Sequence, residues 1–165
     1  MIGVRLVTPN AASFSVSVDG PTHPSYDIST LETNLPLVTY IEPNEKRSEK
    51  KSDFRVFRWY NWEHGDFMIQ VKAISGVSSF YLNSIGETSF QENAYSGVPT
   101  APENSEWHTY LNGTDSANST AEVVIFRSDT ERRPMFCYAC WYYLTVRVSD
   151  PNLTSYRVFV KRVED

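Results

Sequence analysis

Helical signal is nearly absent from this sequence: no long window keeps apolar residues at the i, i+3, i+4, i+7 spacing of an amphipathic helix. No apolar run approaches the roughly 18–20 residues a spanning helix needs, so membrane insertion is not expected. Cysteine is scarce. Only Cys137 and Cys140 are present, with no second C-x-x-C and no paired histidines to complete a zinc site. Histidine is scarce too. His23, His64 and His108 are scattered, and neither G-x-S-x-G nor H-E-x-x-H occurs. No residue is assigned a catalytic role, and no enzyme, cofactor or metal site is expected. Positive charge is in deficit, 15 basic residues against 20 acidic for a net −5, which argues against a nucleic-acid partner. Residues 1–10, MIGVRLVTPN, lack the basic and apolar regions of a signal peptide.

What the chain does hold is aromatic rings: four Trp, ten Tyr and nine Phe. At 165 residues it is long enough for one domain with a substantial core, and this much ring area excludes disorder as the main state. Strand signals run throughout. Residues 67–74 alternate Phe67, Ile69, Val71 and Ala73 with Met68, Gln70 and Lys72. Further strands are expected over 37–42, 53–60, 79–83 and 121–127. The last two are clearest: Tyr142, Leu144, Val146 and Val148 face one way, then after the turn Ser149-Asp150-Pro151-Asn152 come Tyr156, Val158 and Val160. Short strands between turns predict an all-β antiparallel sandwich or barrel of about eight strands. Two stretches read as loops, the charged 42–52 and the polar 85–105 with Pro99 and Pro102.

Several local motifs are candidate sites. Cys137-Tyr138-Ala139-Cys140 precedes a strand, not the helix a redox C-x-x-C needs, so a structural disulfide is preferred over free thiols or a redox pair. Sequons at Asn112, Asn118 and Asn152 mark N-glycosylation acceptors and, with the cysteine pair, predict an extracellular or cell-surface setting. The chain is then an internal piece of a longer secreted protein. Trp59, Tyr60 and Trp62, with Trp107, are candidate ligand or interface aromatics, although core packing is the commoner use of such rings. The run 45–51, EKRSEKK, reads as a solvated loop tip, and Glu87, Glu92, Asp115, Asp129 and Glu131 show no calcium-loop spacing.

The chain also resembles itself. A shift of 142 places Val4-Arg5, Pro9-Asn10, Ser13, Val16 and Val18 on identical residues without a gap. Residues 1–19 therefore read as a copy of a terminal hairpin over 142–161, left from a preceding repeat. Residues 20–35, with Pro21 and Pro24, form a linker, and 36–165 one repeat domain.

The strands at Pro36-Leu37-Val38-Thr39-Tyr40, Asp53-Phe54-Arg55-Val56-Phe57, residues 67–71, Ser79-Phe80-Tyr81-Leu82, Tyr142-Tyr143-Leu144-Thr145-Val146 and Ser155-Tyr156-Arg157-Val158 together resemble the pre-peptidase C-terminal (PPC) domains. The resemblance implies a jelly-roll-like β-sandwich without catalysis, serving as an accessory, binding or spacer module in secreted proteins, often in tandem. Calcium-binding members carry an acidic pair where this chain has Ser78-Ser79-Phe80. The function expected is a structural or adhesive repeat touching neighbouring repeats of its own protein. The alternatives are a carbohydrate- or matrix-binding module, or an accessory domain of a secreted protease.

Overall fold

The structure, a computed structural model, describes residues 28–42, 54–85, 98–132, 134–148 and 152–163. The expected hairpin over 1–19, the linker prolines and most of the charged loop lie outside the described residues. The elements are β1 (Ile28–Thr30), β2 (Leu37–Ile41), β3 (Phe54–Asn61), β4 (Phe67–Ser75), β5 (Val77–Ile85), β6 (Trp107–Asn112), β7 (Thr120–Ile125), β8 (Cys140–Val148) and β9 (Thr154–Arg162). A 3-10 turn, Pro102–Asn104, precedes β6.

Among the described residues, nine strands form two sheets, ordered β1-β3-β8-β5-β6 and β2-β9-β4-β7. Every neighbouring pair is antiparallel except β1 with β3. The fold is an all-β sandwich, as the alternating residues predict. In β4, Phe67, Ile69, Val71 and Ala73 are buried, and in β9 Tyr156, Val158 and Val160 meet them side by side. Across the interior lie Phe57 and Trp59 from β3, Phe80 and Leu82 from β5, and Tyr142, Leu144 and Val146 from β8. Apolar faces on both sheets exclude water from one shared layer, the condition for a stable sandwich.

Four expectations change. First, 142–161 is not a hairpin. β8 pairs with β3 and β5, while β9 pairs with β2 and β4, so the connection after Val148 crosses from one sheet to the other. The reason is burial on both faces of β8: Tyr142, Leu144 and Val146 point into the shared core, while Tyr143 and Thr145 are buried on the opposite face. β8 therefore sits between two partners in the middle of its sheet, while β9, which buries one face only, sits between β2 and β4 in the other. Second, the linker over 20–35 is too long. Ile28–Thr30 is already a sheet strand, Leu31 is buried and Thr33 bridges to Val160. Third, the end of the 85–105 loop is packed. Val98 joins Val56 and Tyr143 in a second cluster on the outer face of the first sheet. Fourth, the expected strands leave out 107–112, which forms β6, with Leu111 buried in the core and Trp107 packed against it.

The sandwich has two distinct ends. At one, β3, β7 and β9 finish and β4 and β8 begin. It holds the 62–66 turn and the Cys137–Cys140 disulfide, and is called the disulfide end below. At the other lie the crossing at Gly76, the turn after β6 and the crossing after β8. The first two touch, and the first also meets the start of β9. Gly113 N donates to Gly76 O, and a Cβ added at Gly113 would lie 2.6 Å from Ser75 N. Gly76 has φ +69 and faces Thr154, so both glycines are set by close approach.

Candidate functional site: the disulfide end

The floor of the disulfide end is built by alternation carried one step past the apolar residues of β9. Tyr156, Val158 and Val160 point inward, and so does Arg162, which pairs with Phe67 at the strand end. Its guanidinium lies 5.2 Å from the Trp59 ring centroid and 5.8 Å from that of Phe67. Nη2 donates to Asn61 Oδ1 (2.9 Å) and Nη1 to Gly65 O (3.1 Å). Nε approaches Glu63 at 3.0 Å, an ion pair without hydrogen-bond alignment. Arg162 thus closes the core while a fork of fixed donors holds the 62–66 turn.

Asn61 is fully buried and passes that support on, its Nδ2 donating to Cys137 O (2.8 Å). Tyr142 braces the same segment from below: its hydroxyl donates to Met135 O (2.7 Å) and accepts from Cys137 N (2.9 Å). Burial pushes the Tyr142 phenol well above its ordinary value, so it stays a neutral donor. Cys137 and Cys140 are joined as a disulfide, with Ala139 at φ 55 in the tight loop between them. That loop exposes Tyr138, whose ring stacks on His64 with centroids 4.0 Å apart and planes 10° apart.

Above this floor lie Trp62 (66% exposed), Tyr138 (52%) and Phe126 (38%), with Val163 beside them. A hollow of about 320 Å³ opens among His64, Gly65, Asp66, Arg127 and Ser128. Asp66 Oδ1 accepts from Arg127 N (2.7 Å), and Asp66 O accepts from Val163 N (3.0 Å). The carboxylate and the two segments that frame the hollow are therefore fixed to one another.

The structure separates the four candidate aromatics. Trp59 is 2% exposed: its rings rest on Phe67 and Tyr142, and Nε1 donates to Thr33 Oγ1 (3.0 Å). It is a core residue with no face left for a ligand. Tyr60 packs on Trp141 on the outer face of the first sheet, 5.0 Å between centroids, with Arg58 over the same indole. Trp107 packs against the main core. Of the four, only Trp62 is presented to solvent at the disulfide end.

All three sequons lie at the opposite end. Asn112 closes β6, and its Oδ1 accepts from Thr114 N (3.0 Å) and Thr114 Oγ1 (2.7 Å). Asn118 is exposed, and its Nδ2 donates to Asp115 Oδ2 (2.7 Å). That bond, together with one from Ala117 N, holds the Asp115 carboxyl below its ordinary value. Asn152 is exposed just before the buried Thr154. Ser78, of the Ser78-Ser79-Phe80 run, is buried. Among the described residues, no three His, Cys, Asp or Glu side chains gather as metal ligands would.

Residue-type motifs pointed to Trp62 and the C-x-x-C pair. They did not point to Arg162, Asn61, Asp66 or Arg127, which come from three separate stretches of the sequence. Arg162 had one available signal, its parity with the inward residues of β9.

No protein-family model matches the chain, and no curated protein matches it. Solved structures do. One is the pre-peptidase C-terminal domain of collagenase from Bacillus anthracis, at 14% identity over 82% of this chain and 95% of that chain, with a TM-score of 0.44. Another is CorA of Methylomicrobium album BG8, described as a surface-associated copper-binding protein, at 6% identity over 83% of this chain and 98% of that chain, with a TM-score of 0.45.

Proposed function

We propose that this chain is a non-enzymatic contact module of a secreted or cell-surface glycoprotein, acting through neighbouring modules of the same protein and through protein partners at its disulfide end. The observation that carries the reading is the segregation of the two ends. Trp62, Phe126, Tyr138 and Val163 are exposed at the end where the chain leaves the sandwich, and Asn112, Asn118 and Asn152 ring the end from which β1 enters. Glycans on those acceptors would sheath one end and leave the other bare. Exposed rings on a rigid, braced frame suit an interface, because they bury much apolar area at little cost in ordering. Entry and exit at opposite ends suit modules arranged in line, in keeping with the internal similarity at a spacing of 142.

Two measurements test this. The parent polypeptide should contain further units about 142 residues apart, and a parent without a second copy refutes the tandem arrangement. In hydroxyl-radical footprinting, Trp62 and Tyr138 should oxidise several-fold more slowly in the parent protein than in this chain, while residues 113–119 do not change. Equal rates at Trp62 and Tyr138 in both refute a contact at this end.

A further inference from the structure

We propose that the hollow at the disulfide end binds a neutral saccharide, a terminal sugar held by Asp66, Arg127 and Ser128 against His64. This rests on the reading of that end as the contact surface, and it names a ligand class for one part of it.

The argument begins with charge. The hollow carries one carboxylate, Asp66, and one guanidinium, Arg127. The nearby Glu63 and Arg162 are spent on each other. An anion or a cation would therefore meet a like charge, whereas a polyol can use both groups, its hydroxyls donating to the carboxylate and accepting from the guanidinium. Asp66 uses Oδ1 on Arg127 N, which leaves Oδ2 without a partner among the described residues. The Arg127 side chain and the Ser128 hydroxyl likewise have no partner there, and both residues are exposed. Donors and acceptors converging on one hollow are what a polar small-ligand site requires, and about 320 Å³ sits at the low end of the usual range of roughly 300–1,000 Å³. That size suits one terminal sugar better than a chain lying in a groove.

Rigidity is the second strand of the argument. His64 is held by its stack on Tyr138, and Tyr138 by a loop that the disulfide, Tyr142 and Asn61 all fix. Asp66 is fixed through both its carboxylate and its carbonyl. A ligand entering here orders little of the protein, which matters most for weak polar ligands. Gly65 is the third. It has no left-handed φ, and a Cβ placed on it meets nothing within 4 Å. Backbone geometry does not demand glycine at this position, and what its missing side chain leaves is open space at the hollow. Finally, the three acceptor asparagines lie at the other end, so the chain's own glycans would be anchored away from this hollow.

The test is an amide-shift titration of the chain with methyl α-mannoside, methyl β-galactoside, methyl β-glucoside and N-acetylglucosamine, with glucuronic acid and sialyllactose as charged comparisons. The expected result is saturable shifts from at least one neutral sugar, confined to residues 64–66 and 127–128. Arg127→Ala and Asp66→Asn should weaken binding roughly tenfold or more, as loss of a charge-assisted hydrogen bond does. Gly65→Leu, which grows into open space, should abolish binding while leaving the unfolding midpoint unchanged. No saturable shift with any neutral sugar, binding of the anionic sugars alone, or binding that survives Gly65→Leu overturns the proposal. If the sugars fail while Trp62 and Tyr138 are still protected in the parent protein, the saccharide site falls and the contact surface stands. Sugar binding without that protection gives the converse.

Discussion

Two buried tyrosines should answer the same substitution in opposite ways. Tyr142 and Tyr156 are each about 1% exposed or less, and each would lose one hydroxyl on replacement by Phe. In Tyr142 that hydroxyl donates to Met135 O and accepts from Cys137 N, at 2.7 and 2.9 Å. Removing it deletes two hydrogen bonds and leaves the Cys137 N–H without its acceptor. Two ordinary bonds contribute about 0.5–1.5 kcal/mol each, and an unsatisfied buried donor costs about 1–3 kcal/mol. Cys137 is only partly buried, so water recovers some of this and the expected loss is about 1.5–3 kcal/mol. For a domain of this size that lowers Tm by roughly 3–12 °C. Tyr156 is the contrast. Its ring lies edge-on to Phe57 and Phe80, and its hydroxyl is buried with no partner among the described residues. Tyr156→Phe removes a desolvated polar atom and keeps the ring, so it should be neutral or stabilising by up to about 1 kcal/mol. Urea unfolding followed by tryptophan fluorescence reads both, and unchanged m-values would confirm that neither variant alters compactness. Hydrogen exchange gives a local check, because the Cys137 amide should lose protection in Tyr142→Phe alone. Equal midpoint shifts for the two variants, or a Cys137 amide still protected in Tyr142→Phe, refute the reasoning.

Alkaline titration should follow from the same pair. Burial raises both phenol pKa values above the ordinary 10.0. The folded state therefore holds these protons when the unfolded chain releases them, so the urea midpoint should be steady below pH 10 and fall as pH rises beyond it. Gly113→Ala would drive a Cβ to 2.6–2.7 Å from the Ser75 and Ile74 backbone and should cost about 1–3 kcal/mol or more in urea unfolding. Gly65→Ala, with nothing within reach, should stay within about 1 kcal/mol of the parent chain. Replacing both Cys137 and Cys140 by Ser opens a loop of only four residues, so the chain-entropy loss is about 2 kcal/mol. The same variant should loosen the Tyr138–His64 stack, visible as line broadening at His64.

Period-two alternation was enough to place most strands, because one buried face per strand is a local property of the sequence. Phe67 to Ala73 in β4 and Tyr156 to Val160 in β9 were legible for that reason. So was the all-β class, from aromatic and β-branched residues with no helical spacing. Alternation is blind to partners, however. It could not show that β8 and β9 belong to different sheets, because a crossing and a hairpin present the same pattern. It also passed over β1, which is three residues long and stands as a strand only by pairing with β3. Sequence likewise determined which rings and sequons exist, but not where they stand. Trp59 and Trp62 are three residues apart, yet one is sealed in the core by Phe67, Tyr142 and Arg162 and the other faces solvent. Asp66 and Arg127, 61 positions apart, share a hollow only because β4 and β7 pair side by side. The division into a sequon end and an aromatic end is likewise a product of strand direction, which no stretch of sequence carries by itself.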